Sequence, residues 1–191
     1  DIREAYITEG TPRQYSFYVP HDVPGLAKLM GGRKSLENAL DSLFAKNEYW
    51  HGNEPGHQIP FLYNYTASPW KTQREVAKIL REEYSDGPGG LSGNDDAGQM
   101  SAWYVFGAMG FYPVNPVSGE YQLTSPLFDK VTLQLPAGRK LEIVCRRSGS
   151  SAVYIQSMKW NGKRYAKYSI RYADLMKGGR LEMELSERVK K

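Results

Sequence analysis

Asn94-Asp95-Asp96-Ala97-Gly98-Gln99-Met100-Ser101-Ala102-Trp103-Tyr104-Val105-Phe106-Gly107-Ala108-Met109-Gly110-Phe111 is where the chain changes its rule of construction. Asn94 or Asp95 is placed to cap a helix running to about Met109. That helix is nearly all apolar or small, so it has little polar face to offer water and is expected to be buried. From Phe111 onward the apolar period becomes two. Residues 121–123, 130–135, 140–145, 153–158 and 180–185 read as strands, with turns at Pro136-Ala137-Gly138, Asn161-Gly162 and Gly178-Gly179. Upstream, the pattern is helical from about residue 20. Asp22 caps a short helix over 25–30, with Pro24 in its first turn and Gly31-Gly32 at its end. Ser35 caps a second, in which Leu36, Ala39, Leu40, Leu43 and Phe44 recur at helical spacing. Ile59, Phe61, Leu62, Tyr63 and Tyr65 read as a buried helix that tolerates Pro60 only in its first turn. Ser68 opens an amphipathic helix through Val76, Ile79, Leu80 and Tyr84, which Asp86-Gly87-Pro88-Gly89-Gly90 stops. The class is therefore α+β: a helical unit over 1–110 and a small antiparallel β region over 111–191.

Between those helices lies His51-Gly52-Asn53-Glu54-Pro55-Gly56-His57-Gln58. One carboxylate, two imidazoles and two carboxamides fall within eight positions, with two glycines and a proline to bend the backbone. Such a run is too polar for a core and too rich in breakers for a solvated helix. It reads as a rigid loop aiming oxygen and nitrogen ligands at something small.

Composition narrows the chemistry. At 191 residues the chain suits one large domain or two small ones. Its 14 tyrosines and 4 tryptophans supply flat faces for a core, for sugars or for bases. The single Cys145 excludes an internal disulfide framework and a cysteine-based zinc site. No 18-residue apolar run exists to span a membrane, and the N-terminus lacks signal-peptide form. The chain opens on Asp1-Ile2-Arg3 without Met, as a fragment or a processed product would. Its net charge of +4 divides unevenly: residues 1–137 hold 11 Lys/Arg against 16 Asp/Glu, and residues 138–191 hold 14 against 5. The basic charges alternate with strand formers and form no dense patch, which favours a solvated sheet face over a nucleic-acid surface. No GxSxG elbow, GK[ST] phosphate loop or HExxH zinc motif occurs.

Three acidic loops remain: Glu9, Asn53-Glu54 and Asn94-Asp95-Asp96. All fall at loop-to-helix junctions, and their even spacing places them at one end of a helical bundle. Two carboxylates across a sugar are what glycoside hydrolysis requires, one to protonate the leaving oxygen and one to deprotonate water. Oxygen ligands such as Asn53 and Glu54 suit a hard cation, Ca²⁺ above all. Plainer readings stand beside these. Asp95 and Asp96 could be cap and first-turn acids, and Glu54 could cap the next helix. Trp50, Trp70 and Trp103 could be core, or one or two of them sugar platforms near the acidic loops.

The stretch 51–58 with Pro60-Phe61-Leu62-Tyr63-Asn64-Tyr65, and Gly93 through Val105, resemble the calcium-dependent exo-α-mannosidases of glycoside hydrolase family 92. Phe111-Tyr112-Pro113-Val114, Ser125-Pro126-Leu127-Phe128 and Tyr154-Ile155-Gln156-Ser157 are similar to later landmarks of that family. The resemblance implies the last helices of an (α/α)₆ barrel followed by a β region, with the earlier part of the enzyme as partner. It implies a secreted or periplasmic, bacterial-type enzyme that removes terminal α-mannose from glycans with inversion. Glu9 matches the general acid, Asp96 the general base, and Asp95 a partner or water-positioning group. Asn53 and Glu54 match the calcium segment, and His51, His57 and Gln99 are expected to touch substrate. Two departures stand out. Thr11-Pro12-Arg13 replaces the usual Asn-Ala-Trp after the acid, and Gly52 stands where α-1,2-specific members tend to carry Glu. The 191 residues alone are expected to be inactive. A non-catalytic carbohydrate-binding module is the alternative.

Overall fold

The computed structural model describes residues 7–190. The loop expected around Thr11 contains one helical turn, α1 (Pro12–Tyr15), capped by the Thr11 hydroxyl, which accepts from Gln14 N at 3.2 Å. Helix α2 (Val23–Leu29) begins as the sequence predicts, with Asp22 accepting from Gly25 N at 2.9 Å. It ends where Gly31 and Gly32 take φ of +96° and +109°, open only to a residue without a side chain. Helix α3 (Arg33–Ala45) therefore starts straight from Gly32, not from Ser35, whose hydroxyl turns back to Gly31 O. Helix α4 (Pro69–Glu82) follows Ser68, but the Ser68 hydroxyl goes to Glu37 at 3.0 Å instead of capping. The buried helix expected over 59–65 is a 3₁₀ helix, Ile59–Tyr65, with Pro60 in its first turn. It packs against α2, α3 and α4 together, so tertiary contact holds a form that rarely persists alone.

Helix α5 (Gln99–Met109) starts three to four residues later than its acidic prefix suggests. Asp96, Ala97 and Gly98 take φ of 45°, 60° and 91°, which a right-handed helix cannot contain. Asp95 reaches across this left-handed segment, and its carboxylate accepts from Ser101 N at 2.9 Å.

The β strands form two sheets. Strands β1 (Phe111–Tyr112), β2 (Glu120–Leu123) and β7 (Ser169–Arg171) pair antiparallel in the order β1-β2-β7. The larger sheet has the order β3-β4-β8-β5-β6, from β3 (Lys130–Gln134), β4 (Lys140–Arg147), β5 (Tyr154–Trp160), β6 (Lys163–Tyr165) and β8 (Gly179–Ser186). Its centre corrects the expectation of a purely antiparallel region. Strands β4 and β8 run parallel from Leu141↔Gly179 to Arg147↔Leu185. Parallel neighbours need a long crossover, and here β5, β6, β7 and the short α6 (Tyr172–Leu175) supply it. The Asn161-Gly162 turn does join β5 to β6, with φ of 50° and 78°, the left-handed pair that a two-residue hairpin needs. Leu141, Ile143 and Cys145 face inward with Leu181, Met183 and Leu185. On the outer side Lys130 and Arg180 meet Glu142 at 2.7 and 3.2 Å, so much of the basic excess is a solvated, cross-paired sheet face.

Two cores result, and α5 serves both. Trp103 and Ala108 belong to the helical core, while Phe106 and Met109 pack against the sheet core. Its remaining side is not covered: Ser101, Ala102 and Val105 are exposed, Val105 at 52%, so the burial expected of the whole helix holds only for Met100, Trp103, Gly107 and Ala108. Polar ties reinforce the joint. Asn64 Nδ2 donates to Leu123 O and Tyr168 O at 2.9 and 3.1 Å, and Gln73 Oε1 accepts from Ile155 N at 2.9 Å. Among the described residues no helix is long and apolar enough to cross a membrane.

Candidate active site

The loop at 51–58 is fixed from beneath before it presents anything outward. Gln14, fully buried, accepts from Trp50 N at 3.0 Å and donates to Trp50 O at 3.1 Å. Both nitrogens of His51 are spent: Nδ1 on the Tyr49 hydroxyl at 2.8 Å, Nε2 on the Tyr84 hydroxyl at 2.7 Å. Tyr84 gives its only hydroxyl proton to Met100 O at 3.0 Å. It can therefore only accept from His51, which fixes the proton on Nε2 and leaves Nδ1 to accept from Tyr49. Burial, helped by the neighbouring His57, pushes the His51 pKa down to about 2, so the ring stays neutral. His57 stacks on His51 at 4.7 Å between centroids, and its Nε2 donates to His51 O at 3.0 Å. Burial lowers its pKa to about 4. Trp103 seals this floor, its indole donating to His57 O at 2.9 Å.

His51 and His57, expected to touch substrate, are 1% and 0% exposed; both nitrogens of His51 and Nε2 of His57 bond within the loop's own support, while His57 Nδ1 is buried without a partner among the described residues. Residue type alone had suggested ligands. The partner that explains His51, Tyr84, lies 33 positions away.

Glycines let the three acidic loops touch. A Cβ on Gly93 would lie 2.3 Å from Gly52 O, and one on Gly52 would lie 2.7 Å from Ser92 O, so the second and third loops meet backbone to backbone. A glutamate at position 52 has no room unless residues 92–93 move. Gly10, at φ +66°, faces the Asn53 amide, and Asn53 Nδ2 donates to the Tyr15 hydroxyl at 3.1 Å. The first loop thus closes on the second.

The carboxylates feel this convergence. Burial raises the Glu54 pKa first, and the Asp96 carboxyl and then Glu9 raise it further, against a lowering hydrogen bond from its own backbone. Glu9 and Asp96 are themselves exposed, as is Gln99. Asp95 is committed to Ser101 N, a capping role in the structure as it stands. Glu54 and Gln99 both line a cleft of about 430 Å³ that continues past Tyr18, Phe106 and Tyr112.

Sequence reasoning assigned no role to Gln14 or Tyr84, though both hold the site together. Neither carries a local signal, because each acts on a loop more than 30 positions away.

A cation fits this ligand set. Asn53 Oδ1 and Glu54 Oε1 are buried acceptors with no hydrogen-bond partner, adjacent in sequence and beside further carboxylates. Buried oxygens in that state ask for a donor or a hard ion. Among the described residues no group of three or more His, Cys, Asp or Glu could hold a metal by itself. A site here must draw on the Asn53 carboxamide as well.

Comparison with known proteins agrees with the architecture. The model of the glycosyl hydrolase family 92 catalytic domain matches residues 1–187. The chain is 38% identical to the family GH92 α-mannosidase BT3965 of Bacteroides thetaiotaomicron, with a TM-score of 0.92 over 99% of this chain and 26% of that one. It is 34% identical to the family GH92 inverting mannosidase BT2199 of the same organism, with a TM-score of 0.90 over 99% and 29%. An uncharacterized secreted glycosidase of Arthroderma benhamiae is 34% identical over 90% of this chain and 22% of its own length. The chain thus spans about a quarter of the length of the relatives it matches.

Proposed function

The chain belongs to glycosyl hydrolase family 92, and from that membership we propose that it carries the catalytic carboxylates of an enzyme that removes terminal α-linked mannose from glycans. The observation that carries this reading is the state of Glu54. Its carboxyl is desolvated and pressed by Asp96 and Glu9, and no Lys, Arg or His among the described residues forms a salt bridge with any of the three. A protein keeps such unrelieved charge where substrate, proton or ion completes it.

Glu9 donates its proton to the glycosidic oxygen as the leaving sugar departs. Asp96, on the other side of the ring, takes a proton from the attacking water, and attack from that side inverts the anomeric centre. One relative bears the description of an inverting mannosidase, which supports that stereochemistry. Asp95 holds the turn that presents Asp96, through its bond to Ser101 N. Asn53 and Glu54 would hold Ca²⁺, which when bound supplies positive charge to sugar hydroxyls beside the carboxylates. The Gln14, Tyr84 and Trp103 contacts keep this loop from moving as charge changes hands. Gln99, exposed at the mouth of the Glu54 cleft, is placed to contact the sugar.

The helices over 12–109 are read as part of an (α/α)₆ barrel, and the remaining walls of the sugar pocket as supplied by the rest of a longer enzyme. These 191 residues alone should therefore show no turnover. Secretion is favoured by the name of the fungal relative.

Proton NMR of an α-mannoside digest with the complete enzyme tests the chemistry. β-Mannose appearing first, in a reaction stopped by a calcium chelator, is the expected result. α-Mannose appearing first would remove Asp96 from the role of general base.

A further inference from the structure

Of the four tryptophans, three are engaged by their surroundings. Trp103 is wholly buried, Trp160 packs against the sheet core, and Trp70 stacks beneath Lys71 and Arg74 with their charges 5.5 and 5.3 Å from the ring. Trp50 differs, being 43% exposed although its backbone is clamped on both sides by the fully buried amide of Gln14. An exposed indole on a loose loop carries no message. On a fixed backbone it is a preorganised apolar plane, ordered before any ligand arrives. That plane shares a cavity of about 300 Å³ with Glu9, Gly10 and Thr11. The indole nitrogen lies over Gly52, where any Cβ would come within 2.7 Å of it, so the glycine is what admits the ring.

We infer that Trp50 is the stacking platform for the sugar that leaves, the ring on the far side of the scissile bond from the mannose being released. This rests on the reading of Glu9 as general acid. The acid must reach the oxygen joining the two sugars, so an aromatic plane that walls the same small cavity meets the departing ring. Its partner is a pyranose presenting an apolar C–H face, not a charged or aromatic group.

The test compares two substrates of the complete enzyme, an α-linked mannobiose and α-mannosyl fluoride, whose leaving group has no ring to stack. Trp50→Ala should lower kcat/KM on the disaccharide roughly tenfold and leave the fluoride unchanged. Trp50→Phe, which keeps a flat ring, should recover most of the loss. An equal fall on both substrates, or none on the disaccharide, overturns the assignment. Glu9→Gln is run alongside. If that variant hydrolyses the disaccharide at the wild-type rate, the reading of Glu9 fails and takes the inference with it, independently of what Trp50 does.

Discussion

Glu37 is buried and Glu54 half-buried with one oxygen shut off from water, and the chain treats them in opposite ways. Glu37, on α3, receives Lys71 Nζ at 2.7 Å and the Ser68 hydroxyl at 3.0 Å. Lys71 also reaches Asp41 at 2.6 Å, and Asp41 accepts from the Tyr63 hydroxyl at 3.0 Å. The Lys71 hydrogen bond, opposed by burial, holds the Glu37 carboxyl below the usual glutamate range. That cluster is a finished joint between α3 and α4. Glu54 has carboxylate neighbours in Asp96 and Glu9 but no salt-bridged cation among the described residues, and its pKa rises. The same residue type is neutralised where it supports the fold and left bare where the fold opens.

The largest expected effect falls on the bare cluster. Asp96→Asn in the complete enzyme should lower kcat by about 10²–10⁴-fold without lowering the unfolding midpoint, since it relieves the pressure on Glu54, measured by mannoside hydrolysis and thermal unfolding together. At the finished cluster the expectation is reversed. Lys71→Met should cost about 3 kcal/mol in urea unfolding, because it strands Glu37 away from water, while turnover per folded molecule stays near wild type.

Beneath the bare cluster, His51 and His57 are neutral when folded. As pH falls below about 6.5 the unfolded chain takes up protons that the folded chain refuses until about pH 4 for His57 and about 2 for His51. Stability should therefore drop on acidification, by roughly 2 kcal/mol per imidazole at pH 5. Urea unfolding at pH 7 and pH 5 measures it, with His57→Asn expected to remove about half.

The two glutamates should also show slopes of opposite sign. What Glu37 contributes is present above the ordinary glutamate pKa and is lost as pH falls through its lowered value. The penalty at Glu54 is absent in acid and grows as pH rises through its raised value. Glu54→Gln should accordingly raise the unfolding midpoint of the metal-free protein slightly at pH 7, a gain that solvent screening keeps small and the smallest of these effects.

The acidic loops were legible because breakers and carboxylates coincide at 9–11, 51–58 and 93–98, and such runs suit neither a core nor a helix interior. The switch to period two at Phe111 gave the fold class for a similar reason. What stayed hidden was decided at long range. No local pattern shows that β4 and β8 pair in parallel 38 positions apart, since their inward residues alternate just as in an antiparallel pair. The start of α5 was misplaced because Asp95 caps from outside, across a left-handed segment that its sequence does not announce. His51 and His57 look like ligands in one dimension. Only the arrival of Tyr84 and Trp103 turns them into a floor.

Calorimetric titration of calcium into the metal-free complete enzyme, beside Glu54→Gln and Lys71→Met, tests the contrast most directly. Wild type and the Lys71 variant should bind one ion with similar affinity at pH 7, and the Glu54 variant should give no binding heat. Calcium binding undiminished by Glu54→Gln would show that the bare oxygens of Asn53 and Glu54 are not where the ion goes.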